Sequence, residues 1–271
     1  MTTATPVITA SSTARHRLTS LGRAEWLQFR RNKTLLFMAT VFPLGLPLLI
    51  FALGDNEATT AAHAFDMFVV YTLLFVQFYT VLSMATTRRD ERVLKRLRTG
   101  EARDREILGA ISLPGALLTV VFSVVITLAL LALGAPAPGN VALPILAVLI
   151  GLVLTTALAL LTSTFTRNAE AAQLTALPVF TLALLGLGAY RPIFGDGVFG
   201  EIMAWNPYAL ISDLVHLGWA GNTFLDQVAG AEPLGAADAL AESWPMLLAL
   251  LVWTALALFG VNRYMRWDSH R

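Results

Sequence analysis

No charged side chain interrupts ILGAISLPGALLTVVFSVVITLALLALGAPAPGNVALPILAVLIGLVLTTALALLTSTFT, residues 107–166. A helix needs about 20 apolar residues to cross the roughly 30 Å of hydrocarbon in a membrane, so this stretch is too long for one crossing. The segment GAPAPGN, Gly134–Asn140, interrupts it, because proline and glycine end helices and favour turns. The stretch therefore predicts two transmembrane helices, about 107–133 and 141–166.

The rest of the chain has the same apolar character. Hydrophobic residues make up 56% of the sequence and charged residues 14%, whereas about 25% of the residues in a soluble domain are charged. We therefore predict an all-α integral membrane protein with six transmembrane helices. The predicted spans are about 34–54, 67–87, 107–133, 141–166, 171–190 and 245–262.

Basic residues are distributed unevenly among the segments that join these spans. Of the 19 Lys and Arg residues, all except Arg191 lie in alternate segments. Because Lys and Arg are retained on the cytoplasmic side during insertion, this pattern predicts that both termini are cytoplasmic. Residues 1–17 are predicted to be a disordered tail, followed by a transmembrane domain of residues 18–268. We expect a multi-pass protein of the inner or plasma membrane.

Several chemistries are excluded by what the sequence lacks. The absence of cysteine excludes disulfides, thiolate metal sites and thiol nucleophiles. The sequence has no Gly-x-x-x-x-Gly-Lys-Ser/Thr phosphate loop, since its two lysines, Lys33 and Lys95, lack that glycine context. We predict that the chain is not an enzyme and that it binds no cofactor itself.

Ionisable residues near the centre of a span usually mark proton or ion pathways, and the predicted spans contain none. This observation argues against an ion-coupled carrier. Asp213 and His216, three residues apart in the long segment after span five, are interpreted as a local polar contact, because two ligands are too few for a metal site. We predict no metal site.

The basic segment between spans two and three is the most informative of the connections. It reads RRDERVLKRLRTGEARDREILGA, residues 88–110, and its apolar side chains Val93, Leu94 and Leu97 fall on one helical face. Glu91 and Lys95 have the spacing of a helical ion pair, and Asp104 is suited to cap the next helix. The pattern predicts a short amphipathic helix, although a topogenic loop that contacts anionic lipid is the simpler alternative.

A second basic segment precedes span one. Trp26 and Phe29 form part of an apolar stripe beside Arg30 and Arg31. Aromatic side chains next to basic ones are typical of helices that lie at the membrane surface. We predict an interfacial helix there.

Aromatic side chains recur at helical spacing in span two, where Phe68, Tyr71, Phe75 and Phe78 are separated by three, four and three residues, beside Gln77. Such a face suits an amphipathic ligand, but it is also typical of helix packing or lipid contact. In span five, small residues allow close helix approach, in a dimer seam or within the bundle. These small residues are Ala172, Ala176, Gly186 and Gly188.

Three features together resemble one known family. A basic interfacial helix precedes span one, ERVLKRLR (residues 91–98) is followed by EILG (residues 106–109), and NPYALISDLVH (residues 206–216) lies between spans five and six. In this order they resemble permease subunits of ABC-2 type ATP-binding-cassette exporters, close to the daunorubicin-resistance and multidrug export permeases. The resemblance covers nearly the whole chain, about residues 18–268.

The resemblance implies a pair of permease subunits, identical or not, each docked on one ATPase subunit through the helix between spans two and three. ATP and Mg²⁺ would be bound by the ATPase, and no nucleic acid is implied. Asn206 and Pro207 would start re-entrant outer helices between spans five and six. Carried over residue by residue, the surface that contacts the ATPase comprises Glu91, Leu94, Lys95, Arg96, Leu97 and Arg98.

The resemblance also implies a function. A hydrophobic or amphipathic small molecule, drug-like or antibiotic-like, would be exported from the cytoplasm. Two alternatives stay open at this point. In the first alternative, the same machinery exports a lipid-linked glycan or a sodium ion. In the second, the chain is a membrane scaffold or sensor that transports nothing.

Overall fold

The computed structural model describes residues 33–94, 103–168, 170–195 and 197–265, and of residues 33–39 only the backbone. All regular secondary structure in these ranges is helical. We number the α-helices α1 (Lys33–Leu53), α2 (Ala58–Asp90), α3 (Asp104–Ala132), α4 (Ala142–Phe165), α5 (Ala172–Gly186), α6 (Val198–Ala204), α7 (Pro207–Ala220), α8 (Phe224–Val228), α9 (Ala236–Glu242) and α10 (Trp244–Tyr264). The helix ends that the charge pattern predicts to be cytoplasmic are called inner ends, and the opposite ends outer ends.

Four of the described helices, α2, α3, α4 and α10, are long and apolar enough to cross a membrane. A fifth span is added if α5 and the 3-10 helix Gly188–Phe194 after it, which are bent by 85°, count as one. Helix α1 has 21 residues, with side chains described only from Thr40 onward. The protein is thus an all-α membrane protein, and the number of six spans stays a prediction.

Helix α2 differs most from its predicted bounds, because it begins at Ala58 instead of near residue 67. The added turns, ATTAAHAFD, contain four good helix-forming alanines, and Asp66 among them is fully buried inside the protein. The predicted span of about 67–87 left Asp66 in the outer segment, because the span was bounded by charged residues. A π-helical segment, Thr72–Phe78, lies in the middle of α2.

Helix α3 begins differently from the prediction at its first turn. Arg103, not Asp104, is the N-cap residue, and its backbone N–H donates to the Glu106 carboxylate over 3.1 Å. Asp104 is the first residue of the helix, where a negative charge is still favourable beside the positive end of the helix dipole. The predicted boundary is close, but a different residue caps the helix.

Helix α7 lies at the centre of the bundle. Every residue from Pro207 to Trp219 is buried, and the helix packs against α2, α4, α5 and α10. Its 14 residues correspond to about 21 Å, which is too short to cross a bilayer. Gly221 follows the helix with φ 80°, the left-handed conformation that commonly ends a helix. The predicted re-entrant helix at this position is thus a short helix whose whole circumference is buried inside the bundle.

The small residues of α5 pack within the bundle. Ala172 and Ala176 are buried, and a Cβ atom added to Gly186 would lie 2.7 Å from the backbone nitrogen of Ala209 in α7. Only glycine permits that approach. These residues were predicted to allow close helix approach either in a dimer seam or within the bundle. The structure shows the approach within the bundle.

Candidate functional site

The inner end of α2 is fastened to the inner end of α4 by one buried arginine. Arg89 is 1% exposed, and its guanidinium donates to the backbone carbonyls of Ser163 and Thr166. The last carbonyls of a helix lack partners within the helix, and the helix dipole makes this end negative. A guanidinium therefore fits the end of α4 in both hydrogen bonding and charge, and it ties the two spans together.

The chain turns sharply just after this anchor. Among the described residues, Arg92 is the one non-glycine residue with positive φ, at 58°. Glu91 is the C-cap of α2, and a new helical turn begins at Val93. Glu91 therefore lies at the end of α2 and not on the helical turn that begins at Val93, because the left-handed Arg92 separates them. Leu94 is fully buried in the hydrophobic core.

The remaining residues of the predicted ATPase-contacting surface and of the interfacial helix lie outside the described part of the chain. Their roles stay predictions. They are Lys95, Arg96, Leu97 and Arg98, and Trp26, Phe29, Arg30 and Arg31.

The predicted aromatic stripe of α2 divides into two groups. Phe68, Gln77 and Phe78 are fully buried, and the Gln77 amide donates to Thr156 Oγ1 in α4 over 2.6 Å. These three side chains pack between helices. Tyr71 is 7% exposed and Phe75 is half-buried, so these two lie nearer the surface of the bundle.

Tyr71 and Phe75 belong to an aromatic cluster that joins three helices. The Phe42 ring of α1 lies 5.1 Å from the Tyr71 ring and 5.2 Å from the Phe75 ring, centroid to centroid. Phe180 of α5 contacts Phe75 edge to face at 5.2 Å. Phe42 is 40% exposed, so the cluster reaches the surface of the chain. We call Phe42, Tyr71, Phe75 and Phe180 the aromatic face.

Asn206 and Pro207 start the buried helix α7. Asn206 Oδ1 accepts from the Tyr208 N–H over 3.0 Å, a standard N-cap contact, and Asn206 Nδ2 donates to the Leu182 backbone carbonyl of α5 over 2.6 Å. Pro207 occupies the first helical position, where the missing N–H has no cost. One side chain thus caps α7 and attaches it to α5.

Arg191, the exception in the charge pattern, is paired with a buried carboxylate. Its guanidinium donates to Asp213 of α7, and both side chains are buried. Burial raises the pKa of Asp213 to about 6, and Arg191 acts in the opposite direction. Asp213 thus forms an ion pair with Arg191 in addition to its predicted polar interaction with His216, and the ion pair explains why one arginine lies in an outer segment.

The side chain of His216 also contacts helix α2. Its Nε2 lies 3.4 Å from Asp66 Oδ2, and both side chains are fully buried. Asp66 Oδ2 also accepts from Ser212 Oγ over 2.8 Å and from the Gly188 N–H over 3.3 Å. His63, one turn before Asp66, is half-buried beside them. We call His63, Asp66 and His216 the outer polar cluster, which joins the outer part of α2 to α7.

Sequence reasoning missed the outer polar cluster, because its members are more than 140 positions apart in the chain. The spacing of His63 and Asp66 by three residues and of Ser212 and His216 by four was visible in the sequence. Such spacings place side chains on one face of a helix. Nothing in the sequence indicates that these two faces meet.

Comparison with known proteins agrees with this architecture. The model of the family described as ABC-2 type transporter matches residues 16–216, about three-quarters of the chain. The match includes the Arg89 contact at the inner end of α2, the outer polar cluster, and the buried helix α7 as far as His216. No curated protein matches the chain significantly. The chain therefore belongs to the ABC-2 type transporter family, as the permease component in the membrane.

Proposed function

We propose that this permease exports a hydrophobic or amphipathic small molecule from the cytoplasm, in the manner of a multidrug or antibiotic-resistance exporter. ATP hydrolysis on a separate ATPase subunit, which binds ATP and Mg²⁺, supplies the energy. Two permease subunits pair in the cell membrane with their termini in the cytoplasm, and each engages one ATPase through the segment after α2.

The observation that carries the proposal is the anchoring of α2 immediately before that segment. Arg89 ties α2 to the carbonyl end of α4, and three residues later Arg92 turns the chain into a new helical turn. Leu94 then holds that turn in the hydrophobic core. A displacement of the segment by an ATPase is passed to two spans together, since packed helices move as rigid bodies.

The aromatic face supports the proposed class of cargo. Its rings present a polarisable apolar surface with one hydroxyl, on Tyr71, which suits a planar or amphipathic molecule. A sodium ion prefers a shell of oxygen ligands, as other hard cations do. The composition of this face therefore favours an organic cargo over sodium.

Coupling is tested in proteoliposomes that contain the permease and its ATPase, with daunorubicin as the probe. We expect drug to stimulate ATP hydrolysis and ATP to drive drug accumulation. The Arg96→Glu/Leu97→Asp double variant should abolish both effects while the permease stays folded. Arg263→Glu, at the exposed inner end of α10, is the charge-reversal control and should behave as wild type. Unchanged export in the double variant would refute the coupling surface.

The cargo assignment is tested by alanine substitution in the aromatic face. Tyr71→Ala and Phe75→Ala should change the relative transport of daunorubicin and ethidium. Phe259→Ala removes a ring that is 66% exposed on α10 and should leave the preference unchanged. An unaltered preference in the first two variants would show that those rings pack between helices and do not contact the cargo. A complex that hydrolyses ATP but moves neither compound would favour the scaffold or another cargo, such as a lipid-linked glycan.

A further inference from the structure

The outer polar cluster contains ligand atoms that the described protein leaves without hydrogen bonds. His63 Nδ1, Asp66 Oδ1 and His216 Nε2 are all buried and have no hydrogen-bond partner among the described residues. Unpaired polar atoms in a protein interior cost free energy and are uncommon, so each calls for an explanation. Three such atoms occur here in one place, and they belong to the two residue types that most often bind metal ions through nitrogen and oxygen.

The positions of these side chains are fixed by two helices. His63 and Asp66 are one turn apart on α2, and His216 approaches from α7. One ligand atom from each of the three residues lies within 4.8 Å of the other two. Asp66 and His216 are 0% exposed, and His63 is half-buried, which leaves access from the surface at His63.

The surroundings hold the cluster in place and cover part of it with an apolar ring. Ser212 and the Gly188 N–H bind Asp66 Oδ2, leaving Oδ1 for another partner. The Phe224 ring lies 5.7 Å from the His63 ring and 5.4 Å from the His216 ring. An apolar side chain over a polar cluster excludes water and strengthens the interaction of its ligands with a cation.

We propose that His63, Asp66 and His216 bind a divalent transition-metal ion, for which Zn²⁺ is the best match. Two imidazoles and one carboxylate suit zinc, whereas Mg²⁺ and Ca²⁺ prefer oxygen ligands. Bonds of about 2.0–2.1 Å put the ligand atoms of a zinc tetrahedron about 3.3 Å apart. The 3.4 Å between His216 Nε2 and Asp66 Oδ2 shows that the imidazole and the carboxylate that carries the free Oδ1 are already close neighbours. This proposal departs from the sequence interpretation, which predicted no metal site.

Such an ion attaches the outer part of α2 to the buried helix α7. Three protein ligands leave the fourth position of the tetrahedron for water or another ligand. The ion neutralises Asp66 and bonds to both imidazoles, so it stabilises the arrangement of α2 and α7 described here. The inference concerns the permease alone and holds whether or not the chain exports drugs.

Gln227 occupies the position of the supporting partner that zinc-bound histidines usually have. Its side-chain amide lies 3.2 Å from His216 Nδ1 and also donates to the Asn222 carbonyl over 3.1 Å. When Nε2 binds a metal, Nδ1 carries a proton and needs an acceptor, so the Gln227 amide has to turn its oxygen to Nδ1 and give up its bond to the Asn222 carbonyl. Gln227→Glu places a carboxylate there and should therefore raise zinc affinity.

Zinc binding to the purified full-length chain in detergent, without a polyhistidine tag, tests the proposal. We expect one tightly bound Zn²⁺ per chain by calorimetry and by metal analysis after dialysis. His216→Gln and Asp66→Asn should each weaken binding by more than about 100-fold, because loss of a supporting partner alone costs about 10–100-fold. The His16→Ala/His270→Ala variant removes the other two histidines of the chain and is the matched control, with wild-type affinity expected.

The variants are chosen so that folding and binding are separated. Asp66→Asn keeps an amide oxygen for Ser212 and Gly188, so it should melt near the wild-type temperature without zinc but lose the rise that zinc causes in wild type. If a buried variant does not fold, the half-buried His63→Ala decides instead. Unchanged zinc affinity in the folded cluster variants would overturn the proposal. Equal thermal stabilisation of wild type by Mg²⁺ would also overturn it.

Discussion

The two ends of α2 are held by opposite kinds of contact. At the inner end, Arg89 donates to backbone carbonyls of α4, so a permanent charge meets acceptors that the helix end leaves open. At the outer end, Asp66 and His63 meet His216 of α7 with ligand atoms that have no hydrogen bond among the described residues. The inner contact joins a guanidinium to two backbone carbonyls of the protein. The outer contact depends on titratable groups and therefore on the ions and protons around it.

The Arg191–Asp213 pair on the outer side should show this dependence most strongly. Removing the guanidinium in Arg191→Met leaves a buried carboxylate without its partner, which we expect to lower the free energy of unfolding by about 4 kcal/mol at neutral pH. The Arg191→Met/Asp213→Asn double variant removes the buried charge as well and should recover most of that loss. Thermal unfolding in detergent measures both. A double variant as unstable as the single one would contradict the explanation.

The same variant has a predicted pH dependence. Burial raises the pKa of Asp213 in the folded protein to about 6, above the ordinary 3.8, so folding favours its protonated form. This contribution to stability is present below pH 4 and is lost as the pH rises towards 6. Because Arg191 lowers the pKa, its removal extends the loss above pH 6. Arg191→Met should therefore be closer to wild type in stability at pH 5 than at pH 8.

Substitution of Arg89, the inner anchor, should give the next largest loss of stability, and this loss should not depend on pH. Arg89→Met loses two charged hydrogen bonds to carbonyls, for a total of about 3 kcal/mol. The loss should be the same at pH 5 and pH 8, because a guanidinium does not titrate there. Arg105→Met changes an exposed arginine of α3 and should cost little. A strong pH dependence in Arg89→Met would remove the distinction between the two ends of α2.

The membrane class and the family were predictable from the sequence, and the ends of α2 were not. A span is a property of about 20 neighbouring residues, so hydropathy and proline-glycine turns locate α3 and α4 to within a few residues of the structure. The outer turns of α2 look like a loop because Asp66 and His63 are polar. Their burial depends on α7, which follows about 140 residues later.

The aromatic face was partly predictable for the same reason. Tyr71 and Phe75 were identified from helical spacing within one span. Phe42 and Phe180 come from α1 and α5, and contacts between helices leave no periodic signal in the sequence. Spacing also grouped Phe68, Phe78 and Gln77 with the stripe, although these side chains pack inward. Periodicity identifies one face of a helix, but only the packing shows which part of it stays accessible.

Substitution at the Arg92 turn should change the stability least, and it tests where the inner anchor ends. A left-handed conformation costs an ordinary L residue about 1–2 kcal/mol, and glycine avoids most of this cost. Arg92→Ala removes the exposed guanidinium but keeps Cβ, so it is the matched control for Arg92→Gly. We expect the glycine variant to be more stable than the alanine variant by about 1 kcal/mol in thermal unfolding. If alanine is as stable as glycine, α2 does not end in a left-handed turn, and the segment proposed to contact the ATPase continues α2 as one helix.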